Sequence, residues 1–392
     1  MNKILDIYQS NNFDREYFTE KEEKLNLSFF GEFSDSNEEL DSTSFISQNN
    51  KSILFENDFV TQIMDSQIKD IINKNKYQNN AIFNRRNKIY NQFFNIFQSY
   101  NYTIQDLKTY QIVNMFPYGS IVSGDSLFDS DQDFLVVVIS LKQDTIEEYE
   151  SFLNELIKNI KNNYGVQEVS KLKGSNSNKL FSLKYKFYEN PQIFNIDFNF
   201  CKINNLMLYQ QVFFNPVFRF IQLKKYYYSR SQQMLENFIL LKMYLKNNEI
   251  NESFKGGLSS TGLFLLILAY YKKCDQNNSS IIQSSFQFLL NFLNFIIHFD
   301  FENDYIDLNS EEVILKKKEQ YIIDKNPYIL NPLVNYNYNV FGVKQPLNIK
   351  NIKKHFEKIY IELINIMEKY DKNEENNIRH YFQNIFQKKQ KI

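Results

Sequence analysis

Residues 131–140 read Asp-Gln-Asp-Phe-Leu-Val-Val-Val-Ile-Ser: two carboxylates one residue apart, running straight into an unbroken apolar stretch. A short apolar run this rich in valine and isoleucine is a strand. Side chains alternate across a strand, so Asp131 and Asp133 leave it on one side. A second segment, residues 192–200, alternates throughout. Phe194, Ile196, Phe198 and Phe200 share one face, and Asn195, Asp197 and Asn199 the other. The apolar face belongs in a core, which puts Asp197 on the polar side. Three carboxylates converging on one site repel each other and raise their own pKa values, a penalty that divalent cations remove. Magnesium prefers oxygen ligands and keeps positions open for substrate phosphate, and manganese is the natural substitute.

Between residues 118 and 133 lies Tyr-Gly-Ser-Ile-Val-Ser-Gly-Asp-Ser, then Asp129-Ser130-Asp131-Gln132-Asp133. Gly119-Ser120 suits a tight turn where backbone and hydroxyl meet a phosphate. A lone Asp-x-Asp is ordinarily a surface acidic pair, and a lone Gly-Ser means less. Here they occur together, ahead of an apolar strand and with a later aspartate on a polar strand face. That combination points to metal-dependent phosphoryl transfer, with two cations activating an attacking hydroxyl and stabilising a leaving pyrophosphate.

The rest of the chain sorts around this stretch. Residues 1–56 are polar, with acidic patches at 19–25 and 33–44 and a short apolar island at Leu27–Phe30. They are expected to be extended, and either disordered or docked on a partner. From Asn57 to about Tyr100 the period is helical: Phe59, Ile63, Met64 and Ile68, then Tyr90, Phe93, Phe94 and Phe97. Asp58 or Asn57 supplies the cap. Residues 111–120 lead into a short helix or turn, 145–163 form an amphipathic helix, and 165–173, 179–188 and 192–200 are strands. Beyond about residue 201 the pattern is mainly helical to the end, with loops around 247–257, 275–279 and 324–346. The boundaries expected are an extension over 1–56, an α/β unit with its leading helix over 57–200, and a helical unit over 201–392.

Composition adds exclusions. The 38 Phe, 27 Tyr and no Trp suit an AT-rich coding sequence, so a Phe stripe by itself says little. Cys201 and Cys274 are too few for a disulfide framework or a zinc site, which suits a reducing compartment. No apolar run reaches membrane-spanning length, and the first residues lack a signal-peptide core. An intracellular, soluble protein is expected. The net charge is −1. A protein that holds nucleic acid unaided carries a basic surplus, so an RNA substrate would need a local basic groove or a partner.

The stretch over 118–133 resembles the catalytic motif of the poly(A) polymerase and terminal uridylyltransferase family, within the DNA-polymerase-beta-like superfamily. That resemblance implies an α+β fold: a nucleotidyltransferase palm with a mixed sheet, plus a mainly helical poly(A)-polymerase-associated domain. It implies that Asp131, Asp133 and Asp197 hold Mg2+ (or Mn2+) and that Gly119, Ser120 and Ser130 hold the triphosphate. Leu240–Lys246 looks like the family's helix with two lysines four apart. Residues i and i+4 share a helix face, so Lys242 and Lys246 either reach the β- and γ-phosphates or form a solvated face. Gly256–Gly262 resembles the helix start that carries a phosphate-contacting serine. Ser260 takes that place, at a helix N-terminus that favours anions, and Ser259 or Ser260 also suits a plain N-cap. Leu330-Asn331-Pro332 and Asn339-Val340 are similar to the helical domain's Asp-Pro and Asn-Val segment.

The chain departs from the pattern in places. Thr261 stands where many relatives carry a base-stacking Tyr. Asn331 replaces an Asp. Tyr338 stands where uridylyl-selective relatives often place His, and either bonds a base edge or packs. Gln210 is the best-aligned residue for the family's ribose-contacting Asn. Lys224, Lys225 and Arg230 make a small basic cluster that is either a solvated helix face or an RNA contact. The resemblance implies transfer of UMP or AMP from UTP or ATP to a single-stranded RNA 3′ end, with UTP favoured because small relatives without RNA-binding modules are often uridylyl-selective. A protein partner delivering RNA, docked on residues 1–56, is also expected. The rivals are a non-catalytic scaffold subunit of an RNA-processing assembly and transfer to a protein or small acceptor.

Overall fold

The computed structural model describes residues 58–103, 110–141, 145–163, 166–172, 178–186, 193–204, 216–252, 255–276, 284–310, 312–316, 329–330, 348–369 and 374–386. The expectations for residues 1–56, Gln210, Asn331-Pro332, Tyr338 and Asn339-Val340 lie outside them. In chain order the elements are α1 (Asp58–Thr103), β1 (Tyr110–Tyr118), α2 (Ser120–Ser123), β2 (Gln132–Ser140), α3 (Ile146–Asn163), β3 (Val166–Leu172), β4 (Asn178–Lys186) and β5 (Ile193–Ile203). Then follow α4 (Pro216–Arg230), α5 (Gln232–Asn247), α6 (Ser260–Gln276), α7 (Ser285–His298), β6 (Asp304–Asp307), β7 (Ile314–Lys316), β8 (Ile329–Leu330), α8 (Ile349–Lys369) and α9 (Glu375–Phe386).

The larger sheet has the order β1-β2-β5-β4-β3. β2 and β5 run parallel, while β1 with β2, β4 with β5 and β3 with β4 are antiparallel. A parallel pair needs a long crossover, and the segment holding α3, β3 and β4 supplies it. Thr145 and Glu148 start α3 with a reciprocal capping box: the Glu148 N–H donates to the Thr145 hydroxyl at 3.2 Å, and the Thr145 N–H to the Glu148 carboxylate at 2.8 Å.

The β2 run is apolar on both faces because both are covered. Phe134, Val136 and Val138 pack with Phe194, Ile196, Phe198 and Phe200 against α1 and α3. Leu135, Val137 and Ile139 pack on the other side with Phe116, Ile203 and Phe218. Each such fully buried side chain stabilises the fold by roughly 1.5–3 kcal/mol before entropy is counted. The 46-residue α1 serves two cores. Its first turns (Val60, Ile63, Met64, Ile68, Ile71) pack with the helices from α4 onward, and its later turns (Ile89, Phe93, Ile96, Phe97) pack on the sheet.

The fold is α+β, as the resemblance implied. Two details depart from the sequence expectation. Tyr110–Tyr118 is a strand, which its interrupted alternation conceals. The region after residue 201 is mainly helical, and it also holds a small three-stranded sheet of β6, β7 and β8 that the local pattern does not single out. Strands of two to four residues are too short to display a period. Among the described residues, no helix is long and apolar enough to cross a membrane.

Candidate active site

The parallel pairing of β2 and β5 sets Asp133 directly beside Asp197. Asp131 lies two residues earlier, exposed, its carboxylate accepting a 3.0 Å bond from the Asn195 amide on β5. Register therefore brings the three acids to one end of the sheet. Burial, followed by the charges of Asp197 and Asp131, pushes the Asp133 carboxyl up to about 8. The same two β-strand acids, Asp133 and Asp197, add to burial in raising the Tyr118 phenol. Among the described residues no three acidic, histidine or cysteine side chains are gathered tightly enough to hold a metal ion as they stand. The donor set still fits magnesium or manganese: it is all oxygen, and its strained ionisation is what a cation relieves.

Gly119 makes the turn above them. Its φ is +74°, and a Cβ there would stand 2.9 Å from the Asp133 Cγ. A side chain is excluded both by backbone conformation and by the carboxylate itself. Ser123 closes the next turn, its N–H donating to the Gly119 carbonyl at 3.1 Å. Ser130 closes the loop before Asp131: its hydroxyl accepts from the Leu127 N–H at 2.8 Å, and its own N–H donates to the Leu127 carbonyl at 3.0 Å. From α1, Asn75 and Asn79 donate to the Ser126 carbonyl, and Arg86 donates to the carbonyls of Leu127 and Phe128. The loop carrying the acids is thus held by side chains of the leading helix, a role no local pattern announces.

A cavity of about 470 Å³ opens here. Gly119, Ser120, Ser130, Asp131 and Asp133 line one side, and Lys242, Lys246, Ser260 and Thr261 line the other. The Lys242 ammonium donates to the Asp125 carbonyl at 3.0 Å. Lys246 donates to the Asp129 carbonyl at 2.9 Å and pairs with its carboxylate at 3.0 Å. Both lysines share a face of α5 and line the cavity, Lys242 the more deeply withdrawn and Lys246 still partly open to solvent. Burial lowers the Lys242 pKa to about 8, with the Lys224 and Lys246 charges adding to it and those of Asp125 and Asp133 opposing. Ser259, not Ser260, caps α6, its hydroxyl accepting from the Gly262 N–H at 3.1 Å. Ser260 is left facing the cavity. Thr261 brings no ring to the cavity; Phe220 does.

Lys224 is not on a solvated face. It is buried, lines the cavity and pairs with Asp125 at 2.5 Å. Lys225 and Arg230 are exposed, and the Arg230 guanidinium sits 4.2 Å over the Tyr226 ring. Cys201 and Cys274 are not joined in a disulfide.

The α+β fold that carries this site is similar to the nucleotidyltransferase fold of solved structures. Solved structures similar to this chain include a poly(U) polymerase and a terminal U-transferase. It is similar to a cytoplasmic RNA terminal U-transferase (15% identity, 82% of this chain and 98% of that one, TM-score 0.56). It is also similar to GLD-2 in the GLD-2/RNP-8 complex (13% identity, 82% and 98%, TM-score 0.54). A third likeness is to the Cid1 poly(U) polymerase with magnesium and 3′-dATP bound (16% identity, 77% and 98%, TM-score 0.52). No protein-family model matches the sequence, and the search of curated proteins finds no match.

Proposed function

We propose that this protein is a template-independent RNA 3′-terminal nucleotidyltransferase, adding UMP or AMP from the triphosphate to an RNA 3′-hydroxyl. The observation that carries the reading is the pairing of Asp133 with Asp197, with Asp131 beside them, across a cavity from Lys242 and Lys246. The sequence resemblance and the fold likeness, reached separately, support the same class.

In this reading Asp131, Asp133 and Asp197 hold magnesium, which a Cid1 structure of this fold also carries. When bound, the metal supplies the charge that activates the 3′-hydroxyl and neutralises the departing pyrophosphate. Lys242 and Lys246 hold the β- and γ-phosphates. The Gly119-Ser120 turn lets the backbone approach them, and Ser260 donates from the start of α6. Ser130 keeps the hydrogen of its hydroxyl for a phosphate, because its oxygen is the partner of Leu127. Gln210 and Tyr338 keep the ribose and base-edge roles the resemblance assigns. UTP is the favoured nucleotide, with ATP the alternative. The palm with α1 and the helical unit keep the boundaries near residue 200, and residues 1–56 dock a partner that brings the RNA.

The test is direct. Full-length protein, magnesium and a labelled single-stranded RNA are incubated with each nucleoside triphosphate separately. Stepwise extension with UTP or ATP, lost on chelation, is the expected result. No incorporation of any nucleotide would leave the scaffold reading standing. Incorporation into protein but not RNA would favour the other acceptor.

Lys242 brings a pH dependence. Its ammonium is charged below about 8 and loses its proton as pH rises through that value. A bound triphosphate stabilises the charged form, so binding above pH 8 takes up a proton. The Kd for UTP is expected to rise by about tenfold per pH unit there. Lys242→Met binds about 10- to 100-fold more weakly at pH 7, the loss of a charge-assisted bond, and this pH slope disappears. An unchanged slope in the variant would reassign the titration.

A further inference from the structure

We propose that Lys224 is a third lysine of the triphosphate site, with Asp125 as its fixed counter-ion, a reading that rests on the nucleotide cavity proposed above. Nothing in the local sequence sets Lys224 apart from its neighbour Lys225, but the tertiary surroundings of the two are opposite. The Lys224 side chain is 7% exposed and Asp125 is fully buried. The ammonium sits 4.7 Å from the Phe238 ring centroid and 5.6 Å from those of Phe220 and Phe264. Three ring faces and a carboxylate surround the ammonium at the cavity wall.

Two features point to an anionic ligand rather than to a closed structural pair. First, cations converge. Lys224 and Lys242 both bring their ammoniums to Asp125, one to its carboxylate and the other to its carbonyl. The Asp133 carboxyl is the other acid that acts on both, and two ammoniums withdrawn from bulk water at a cavity wall suit an anionic ligand. Second, the hydrogen bonds do not close. Asp125 takes one of the three Lys224 N–H groups, and among the described residues no other acceptor takes the remaining two. The carboxylate, by contrast, is well supplied. Ser123 donates to one oxygen at 2.7 Å, and Tyr228 to the other at 2.9 Å. Lys224 can therefore turn toward a phosphate without leaving Asp125 bare. The ligand class is a polyphosphate chain, in the nucleotide's triphosphate or as inorganic tripolyphosphate.

The experiment separates phosphate contact from a purely structural ion pair. Full-length protein is titrated calorimetrically with inorganic tripolyphosphate and, separately, with UTP. The variants are Lys224→Met and the double variant Lys224→Met with Asp125→Leu. The single variant strands a buried carboxylate, so its melting temperature falls. The double variant replaces the pair with apolar groups and regains most of that loss. It is expected to bind tripolyphosphate about tenfold more weakly than the parent. A folded double variant with parental tripolyphosphate affinity would overturn the proposal. A crystal structure of the parent protein with tripolyphosphate judges it without any variant. Lys224 Nζ within hydrogen-bonding distance of a phosphate oxygen supports the proposal, and an untouched pair with the phosphate held elsewhere overturns it. Because neither measurement needs RNA, the two readings fail separately. Lys224-dependent tripolyphosphate binding without RNA extension would remove the polymerase reading alone. RNA extension with Lys224-independent binding would remove this one.

Discussion

Asp133→Asn abolishes nucleotide addition yet raises the melting temperature of the metal-free protein. The loss of activity is expected to be at least about 10³-fold, from the several kcal/mol of transition-state charge stabilisation that a metal ligand anchors. The gain in stability has a separate cause. Burial and the charges of Asp197 and Asp131 push the Asp133 carboxyl up to about 8, far above its value in an unfolded chain. A carboxyl raised by folding favours the folded state when protonated. Its contribution is complete below about pH 4 and is lost as pH rises toward 8. Metal-free protein should therefore lose stability between those limits, and the neutral amide of the variant should flatten that decline. On the order of 2 °C of melting temperature accompanies each kcal/mol relieved in a chain this size. Scanning calorimetry in chelator at pH 6 and pH 8.5 measures it, and added magnesium should narrow the difference between the two proteins. A variant less stable than the parent at both pH values would refute the electrostatic account. Extension within tenfold of the parent's would refute the catalytic one.

Gly119→Ala carries the second-largest effect. The added methyl must overlap the Asp133 carboxylate, and the φ of +74° is one that alanine adopts only under strain. With ψ at −154°, this is a region that glycine alone adopts readily, and the strain alone costs about 1–3 kcal/mol. Relieving the overlap moves either the turn or the carboxylate, and a displacement of about 1 Å at a reacting centre can cost on the order of 10²-fold in rate. The variant should remain folded, because Gly119 sits at a strand end and the Ser123 N–H still bonds the residue 119 carbonyl. Circular dichroism and single-turnover extension read the two parts separately. Full activity in Gly119→Ala would show that Asp133 has room to move and is not held by the turn.

Much of this site is legible in the amino-acid sequence. Strand alternation alone puts Asp131 and Asp133 on one side and Asp197 on a polar face, because period two is a property of the backbone and needs no partner. The spacing of Lys242 and Lys246 puts both on one face of α5 for the corresponding reason in a helix. Local pattern offers two serines for capping α6, and geometry chooses Ser259. Other features leave no local trace. Lys224 looks like Lys225 because burial is decided by what packs on a helix, not by the residue. Arg86 looks like any surface arginine on a polar helix, although it holds the carbonyls of Leu127 and Phe128 from some 40 residues away. The strands β6 to β8 escape notice because so few residues cannot repeat.

The division follows from range. The type of each long element, the faces on which the acids and lysines stand, and the glycine needed at the turn are all written locally in the chain. They are consequences of bonds and periods within a few residues. Three other features exist only once the elements have packed: Asp133 lies beside Asp197, α1 serves two cores, and Asp125 meets Lys224 across 99 residues of chain. Those are choices of register and packing. They follow from the burial of the apolar faces of whole elements against one another, which no single segment contains.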